Sequence, residues 1–448
     1  MKKALKIALY VILAAAVAIF VYRIAFRKSI PDAPADEQVV AILEQNGCFD
    51  CHSQNPELPF YAKFPVIGKT VQNDAERGFL FTDLKGKVNE DIDEVTLSML
   101  DHSVSYNQMP PVKYKLAHWG TSFNKKEKSV IANWILEKRG SAEPVCVLPA
   151  AEGYDPTVVS LGERMFTDTR LSLDGTISCA DCHVLETGGA DHADERVSEG
   201  IDGLKGGVNA PTVYNSVFNV RQFWNGRAAD LQEQASGPAT NPVEMGDQTM
   251  EQVVERLSAD KALVAEFRAL FPEEGLTPNT LTYTIAEFEK TLVTPDSPFD
   301  RYLDGDADAI TESQKQGYEA FKKNACATCH TGVILGGKSF EQLCIYGDYF
   351  ADRDAKLFDG AKIEYNSDDE GLKGFTGNDA DLHKFKVPGL RNVAMTAPYF
   401  HDGTFQTLDE AVVAMAKYEL GKELSTQEVQ SIVDFMNSLT GKNPHLQN

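Results

Sequence analysis

The chain has 448 residues and a formal net charge of −23, from 66 acidic against 43 basic side chains. A hydrophobic content of 43% with 24% charged residues is that of a globular protein, and the length exceeds what one core supports, so about three domains are expected. The acidic balance excludes nucleic acid as a partner, because phosphate backbones select basic surfaces, and it is compatible with a cationic soluble partner.

Residues 1–28 stand apart. Lys2, Lys3 and Lys6 precede an uncharged run from Ile7 to Tyr22. Arg23 can snorkel, which extends the span through Phe26. No small-x-small cleavage site precedes Arg23, so an N-terminal transmembrane helix is expected, not a removable signal peptide. Basic residues are balanced on its two sides, so charge does not orient it. The stretch "SIPDAPADEQ", Ser29 to Gln38, reads as a Pro- and acid-rich linker.

Three C-x-x-C-H units follow: Cys48, Cys51 and His52; Cys179, Cys182 and His183; Cys326, Cys329 and His330. Two cysteines three apart on a helical turn can bond both vinyl groups of one haem, and the adjacent histidine meets the iron. Zinc would need a second Cys or His pair to close its tetrahedron, and each unit ends in its own histidine. A thioredoxin-like pair would need a βαβ context, which is absent. Three covalently bound haem c groups are therefore expected. Such haem is attached outside the bacterial cytoplasmic membrane, so the anchor runs N-terminus in and the domains are periplasmic. Cys146 and Cys344 remain, as one disulfide or as two buried thiols.

The fold class expected is all-α: three class I cytochrome c-like haem domains in tandem after the transmembrane helix. Residues 29–142 form the mono-haem domain. Its closing helix runs through "NKKEKSVIANWILEKRG", with Asn124 as N-cap, Val130, Ile131, Trp134 and Ile135 on one face, and Gly140 as the stop. Ser141 to Pro156 reads as a second linker. Residues 150–310 hold the middle unit, with "LGERMF" leading toward Cys179. Residues 311–448 hold the third, with a helix running into Cys326. There Ser425 and Glu428 form a capping box, Val429, Ile432, Val433 and Met436 a buried stripe, and Gly441 the stop. Few alternating runs indicate sheet.

A haem that only transfers electrons has a second protein ligand; one that does chemistry keeps that position free. For the first haem Met109, on the Pro-braced "NQMPP" loop, leads over Met99, His102 and His118. For the third, Met415 ranks little above Met395 by spacing. The loop after His183 is Gly-rich and holds one histidine, His192.

Two segments then carry a resemblance: "NAPTVYNSVFNVRQFWNGRAADLQEQASGPATNPVEMG" (Asn209 to Gly246) and "KVPGLRNVAMTAPYFHDG" (Lys386 to Gly403). They are similar to the bacterial di-haem cytochrome c peroxidase family, over about Tyr154 to the C-terminus. The preceding haem unit and anchor resemble its tri-haem, membrane-anchored quinol peroxidase branch. The resemblance implies that the haem at His183 is peroxidatic, with Gln234 and Glu244 over its distal face. It implies Trp224 between this haem and the third, and Met415 as second ligand at the third. It implies a calcium ion held by the Asn209 side chain and the Thr396 and Pro398 carbonyls, a hard cation on oxygen ligands. It also implies hydrogen peroxide as substrate and, for many relatives, a homodimer.

One departure matters. Many family members carry a histidine in the loop before "NAPT" that caps the peroxidatic iron until the other haem is reduced. Here that slot falls near Glu199 to Ile201 and holds no histidine, and His192 lies too early. An iron open without prior reduction is expected. Glu244, at an ordinary carboxylate pKa and ionised, would move the peroxide proton, with Gln234 orienting the substrate. The anchor and extra haem point to a membrane quinol as donor. The alternatives are a soluble cytochrome or cupredoxin donor, a non-enzymatic electron-transfer cytochrome, and a side-chain-oxidising relative, against which Met415 argues because those enzymes place tyrosine there.

Overall fold

The computed structural model describes residues 2–25, 27–88, 91–118, 121–191, 196–355 and 362–447. It divides into two compact units, Met1–Pro144 and Val145–Asn448.

The first unit begins with the helix Lys2–Ala25. Its side chains are described from 6 to 21, and they are almost all exposed. Among the described residues no helix is long and apolar enough to cross a membrane. The chain leaving this helix is held to the body of its unit. Arg27 donates to Glu127 Oε1 at 3.0 Å and Oε2 at 2.6 Å, to Asn46 Oδ1 at 2.9 Å and to the Ser122 carbonyl at 3.0 Å. Glu127, 1% exposed in its side chain, also accepts from Gln45 at 3.0 Å. A buried carboxylate so placed needs these donors, because desolvation is otherwise uncompensated. The helix Ala35–Gln45 takes the last residues of the expected linker.

The helix Lys125–Arg139 has the Asn124 cap, a reciprocal bond with Glu127 and Gly140 in the left-handed conformation at φ 75°. Ile131, Trp134 and Ile135 pack on Val39, Ile42, Leu43, Leu97 and Leu100. Val130 lies at the edge of this core, only partly buried.

The second unit is built on two helix pairs of one design. Pro156–Phe166 packs on Pro278–Glu289, and Glu312–Lys323 packs on Thr426–Asn437. At each crossing a glycine lets the backbones touch. A Cβ on Gly162 would lie 2.1 Å from the Thr284 carbonyl, and one on Gly317 would lie 1.8 Å from that of Ser431. The pairs anchor separate cores, one with Phe166, Phe267 and Phe288, the other with Phe299, Tyr318, Phe321 and Phe435.

Three expectations are corrected. Ser141–Pro156 is not a free linker, because Val145 is buried in the second of these cores and the Leu148 amide donates to Asp300 Oδ1 at 3.1 Å. Gly441 does not stop the last helix, which ends at Asn437. Its place is a close approach, where a Cβ would lie 1.8 Å from the Thr294 carbonyl. The fold is mostly helical and not purely so: Phe340–Gln342 pairs antiparallel with Lys384–Lys386. Strands of three residues are too short to show alternation. No disulfide is formed among the described residues, and Cys146 and Cys344, the two cysteines outside the C-x-x-C-H turns, are each half-buried.

Candidate functional site

Each C-x-x-C-H unit forms one helical turn closed by the same bond. The amides of His52, His183 and His330 donate to the carbonyls of Cys48, Cys179 and Cys326, each at 3.0 Å. The leading cysteine of each turn rests on a different hydrophobic core. Burial pushes the thiols up, to about 12 for Cys48 and Cys326 and about 11 for Cys51 and Cys182. His183 Nδ1 donates to the Gly189 carbonyl at 3.2 Å and His330 Nδ1 to that of Leu335 at 3.0 Å, which leaves Nε2 as the nitrogen able to meet a metal. Neutral buried thiols beside an oriented imidazole on an apolar wall fit covalent haem attachment, not a thiolate metal site.

At the middle turn, Glu244 lies close enough to Cys182 to raise its thiol after burial has done so. Glu244 follows the helix Leu231–Thr240, which carries Gln234. Asn241 Nδ2 donates to Glu244 Oε1 at 2.6 Å. Burial raises the carboxyl above its ordinary range, and the charge of Arg227 and the Asn241 bond offset this only in part. The expectation of an ordinary pKa is thus corrected, the cause being desolvation. Arg227 was part of the quoted "FWNGRA" segment without a role. Its guanidinium sits 3.4 Å over the Phe223 ring and faces Glu244 electrostatically.

The loop slot at Glu199 to Ile201 is filled by backbone. The Ile201 amide donates to the Glu244 carbonyl at 2.9 Å. A Cβ on Gly200 would lie 2.1 Å from the Val243 carbonyl, so only glycine fits there. His192 lies outside the described residues.

Trp224 joins two of the expected elements. Its Nε1 donates to the Asn209 carbonyl at 2.9 Å, and its own carbonyl accepts from the Lys386 amide at 2.9 Å. It packs in one cluster with Met415, Phe385 and Tyr418. Met415 lies on the helix Leu408–Tyr418, one turn before Glu419. Glu419 raises the Cys329 thiol after burial and Glu341, which sets this helix beside the third turn. Met395 packs instead on the core that carries Cys179. Asn209 and the Thr396–His401 segment meet through the Asn209 amide, 2.8 Å from the His401 carbonyl, and the peptide before Pro398 is cis. Asn209 Nδ2 donates to the Arg196 carbonyl at 3.2 Å, so Oδ1 is the atom with capacity to coordinate a cation.

Asp369, His401 and Asp402 bring ligand atoms within 4.8 Å of one another. A side chain already supplies the positive charge there. Arg353 Nη1 lies 2.7 Å from Asp369 and 3.0 Å from Asp402, with its side chain fully buried. Spacing could not reveal this network, because its members are 16 and 49 residues from Arg353.

In the first unit Met109 is half-buried on a cis peptide to Pro110. His102 and Tyr106 lie ring to ring at 4.9 Å, and His118 stacks on Tyr114 at 4.1 Å.

The chain matches the family model described as Di-haem cytochrome c peroxidase over residues 156–308 and one described as Haem-binding domain over 19–137. It is 40% identical to cytochrome c peroxidase Ccp of Escherichia coli (strain K12) over 423 residues, covering 91% of this chain and 88% of that protein. It is 40% identical to cytochrome c551 peroxidase of Nitrosomonas europaea, covering 67% of this chain and 85% of that protein. A crystal structure of a MauG-like protein associated with microbial copper homeostasis superposes with TM-score 0.55 at 28% identity, covering 68% of this chain and 96% of that one. The chain belongs to the di-haem cytochrome c peroxidase family and is a haem peroxidase.

Proposed function

We propose that the chain is a membrane-anchored, tri-haem peroxidase of the periplasm that reduces hydrogen peroxide to water with electrons from a membrane quinol. Cys48, Cys51, His52 and Met109 would hold the haem that receives these electrons, Cys326, Cys329, His330 and Met415 would hold the haem that relays them, and Cys179, Cys182 and His183, with Trp224 on the way, would hold the haem that delivers them to peroxide. The observation that carries the reading is the first unit itself. In one unit it places a C-x-x-C-H turn and a helix whose run from Ile7 to Tyr22 is uncharged, and Arg27, just after that helix, donates to Asn46, two residues before the turn. A peroxidase fed by a diffusing protein needs neither.

Haem iron, when bound, supplies a site for one peroxide oxygen and the reducing equivalents. The chain supplies the proton chemistry. Glu244 Oε2 would accept a peroxide proton and give one back as the oxygen–oxygen bond breaks. Its raised pKa makes it a stronger base than an exposed glutamate. Asn241 fixes Oε1, and Arg227 keeps a share of the carboxyl ionised. Gln234 orients the peroxide. Gly200 supports the reading of a position open without prior reduction, since no side chain, a histidine included, fits at that residue. A calcium ion at Asn209 and the Thr396 and Pro398 carbonyls would brace the segments flanking Trp224.

The name cytochrome c551 peroxidase of the Nitrosomonas relative favours a second reading, a small cytochrome as donor. One assay separates them: peroxide turnover by the purified protein with a soluble quinol against a reduced small cytochrome. Turnover with quinol supports the first; turnover with the cytochrome alone overturns it.

A further inference from the structure

We propose that the quinol binds on the first unit at an aromatic patch around Tyr61 and His118, and that this pair takes up the protons released as the quinol is oxidised. The proposal rests on the quinol reading above. Phe60, Phe64 and Ile67 are 76%, 51% and 52% exposed. Large apolar side chains so exposed on neighbouring turns mark a binding surface more often than chance. The Phe60 and Phe64 rings stand 6.1 Å apart, edge to face, and Tyr61 lies between them in sequence, 5.7 Å from Phe60. The patch therefore has a polar centre. The Tyr61 hydroxyl is hydrogen-bonded to His118 Nε2.

The centre abuts the first C-x-x-C-H turn. Tyr114, stacked on His118, donates to Asp50 Oδ2 at 2.5 Å, between Cys48 and Cys51. A Cβ on Gly47 would lie 2.1 Å from the Tyr114 hydroxyl, so only glycine admits this ring against the turn. Asp50 thus positions Tyr114, which positions His118.

The chemistry required of such a site is specific. A quinol gives up two electrons and two protons, and the haem of the first unit takes electrons only, one at a time. Each proton must reach a base as its electron leaves. A quinol hydroxyl donating to the Tyr61 oxygen can pass its proton there while Tyr61 passes its own to His118, which releases it to water. The balance closes with one quinol and one hydrogen peroxide giving one quinone and two waters. The flat apolar ring explains the exposed phenylalanines, and the two hydroxyls explain the polar pair among them.

The test uses the full-length protein in detergent with a short-tailed benzoquinol. Tetramethyl-phenylenediamine, which donates electrons without releasing protons, is the comparison donor. Tyr61→Phe and His118→Gln should each lower the ratio of quinol-driven to phenylenediamine-driven peroxide turnover on the order of 10-fold or more. The pH dependence of quinol-driven turnover should flatten in both. Phe60→Ser should raise the KM for quinol and leave its kcat. The visible spectrum of the first haem should be unaltered in all three. A wild-type ratio in Tyr61→Phe and His118→Gln, in a protein that does use quinol, overturns this site and leaves the donor reading standing. A wild-type protein inert toward quinol overturns both. Loss of a low-spin haem signal in His118→Gln also overturns the site, since His118 would then be an iron ligand.

Discussion

Glu289 offers a direct test of the packing beside the middle turn. It is 4% exposed, its Oε2 has no hydrogen-bond partner among the described residues, and burial raises its pKa from 4.5 to about 8. A carboxyl raised on folding stabilises the protonated folded state. Its contribution is fully present below pH 4.5 and is lost as pH rises to about 8. Between those values the folded state holds one proton that the unfolded state has released. Stability therefore falls by about 1.4 kcal/mol per pH unit on this account, or about 3 kcal/mol from pH 5 to pH 7.5. Glu419, raised by burial to about 8, adds a second decline of the same sign. Glu289→Gln removes the first and keeps the second. Urea denaturation of both proteins at half-unit steps from pH 5.5 to 7.5 should give slopes against pH that differ by about 1.4 kcal/mol per unit, the variant being shallower. Absolute stability can move either way, because the amide is also buried. Parallel slopes would refute the reasoning, since they would mean that Glu289 is ionised in the folded protein or reaches water.

Glu244→Gln should lower peroxide turnover on the order of 10²-fold or more with the haem spectra intact. Because burial raises the Glu244 pKa, wild-type kcat/KM for peroxide should rise with pH through an apparent pKa above 4.5, and the variant should lose that limb. Met415→Leu should lower the reduction potential of the third haem in a spectroelectrochemical titration and leave the other transitions in place. Arg353→Met removes the buried cation that Asp369 and Asp402 share, so thermal or urea unfolding should show a loss of about 3–5 kcal/mol. A loss below about 1 kcal/mol would mean that the pair is stabilised elsewhere. Arg27→Ala should reduce the protection from proteolysis of the chain just after the first helix, because Glu127 is that segment's anchor.

The sequence by itself determined what covalent chemistry and local periodicity dictate. Cysteines three apart with an adjacent histidine mark a candidate haem-attaching turn because the pattern is local. Asn124, Gly140 and Ser425 were legible as helix ends because capping acts over three or four residues. The identities of Gln234, Glu244 and Met415 came from resemblance, since nothing in spacing marks them. The tertiary structure decided everything that depends on burial or on distant partners. Glu244 reads as an ordinary acid until its desolvation is known, and nothing in the sequence shows that Glu289 is buried. Gly441 looks like a helix stop but is a point of backbone contact 147 residues from Thr294. Arg353, Asp369 and Asp402 have no shared motif, yet together they form a buried charge cluster. Desolvation and long-range pairing are properties of the packed chain, and a linear pattern carries neither.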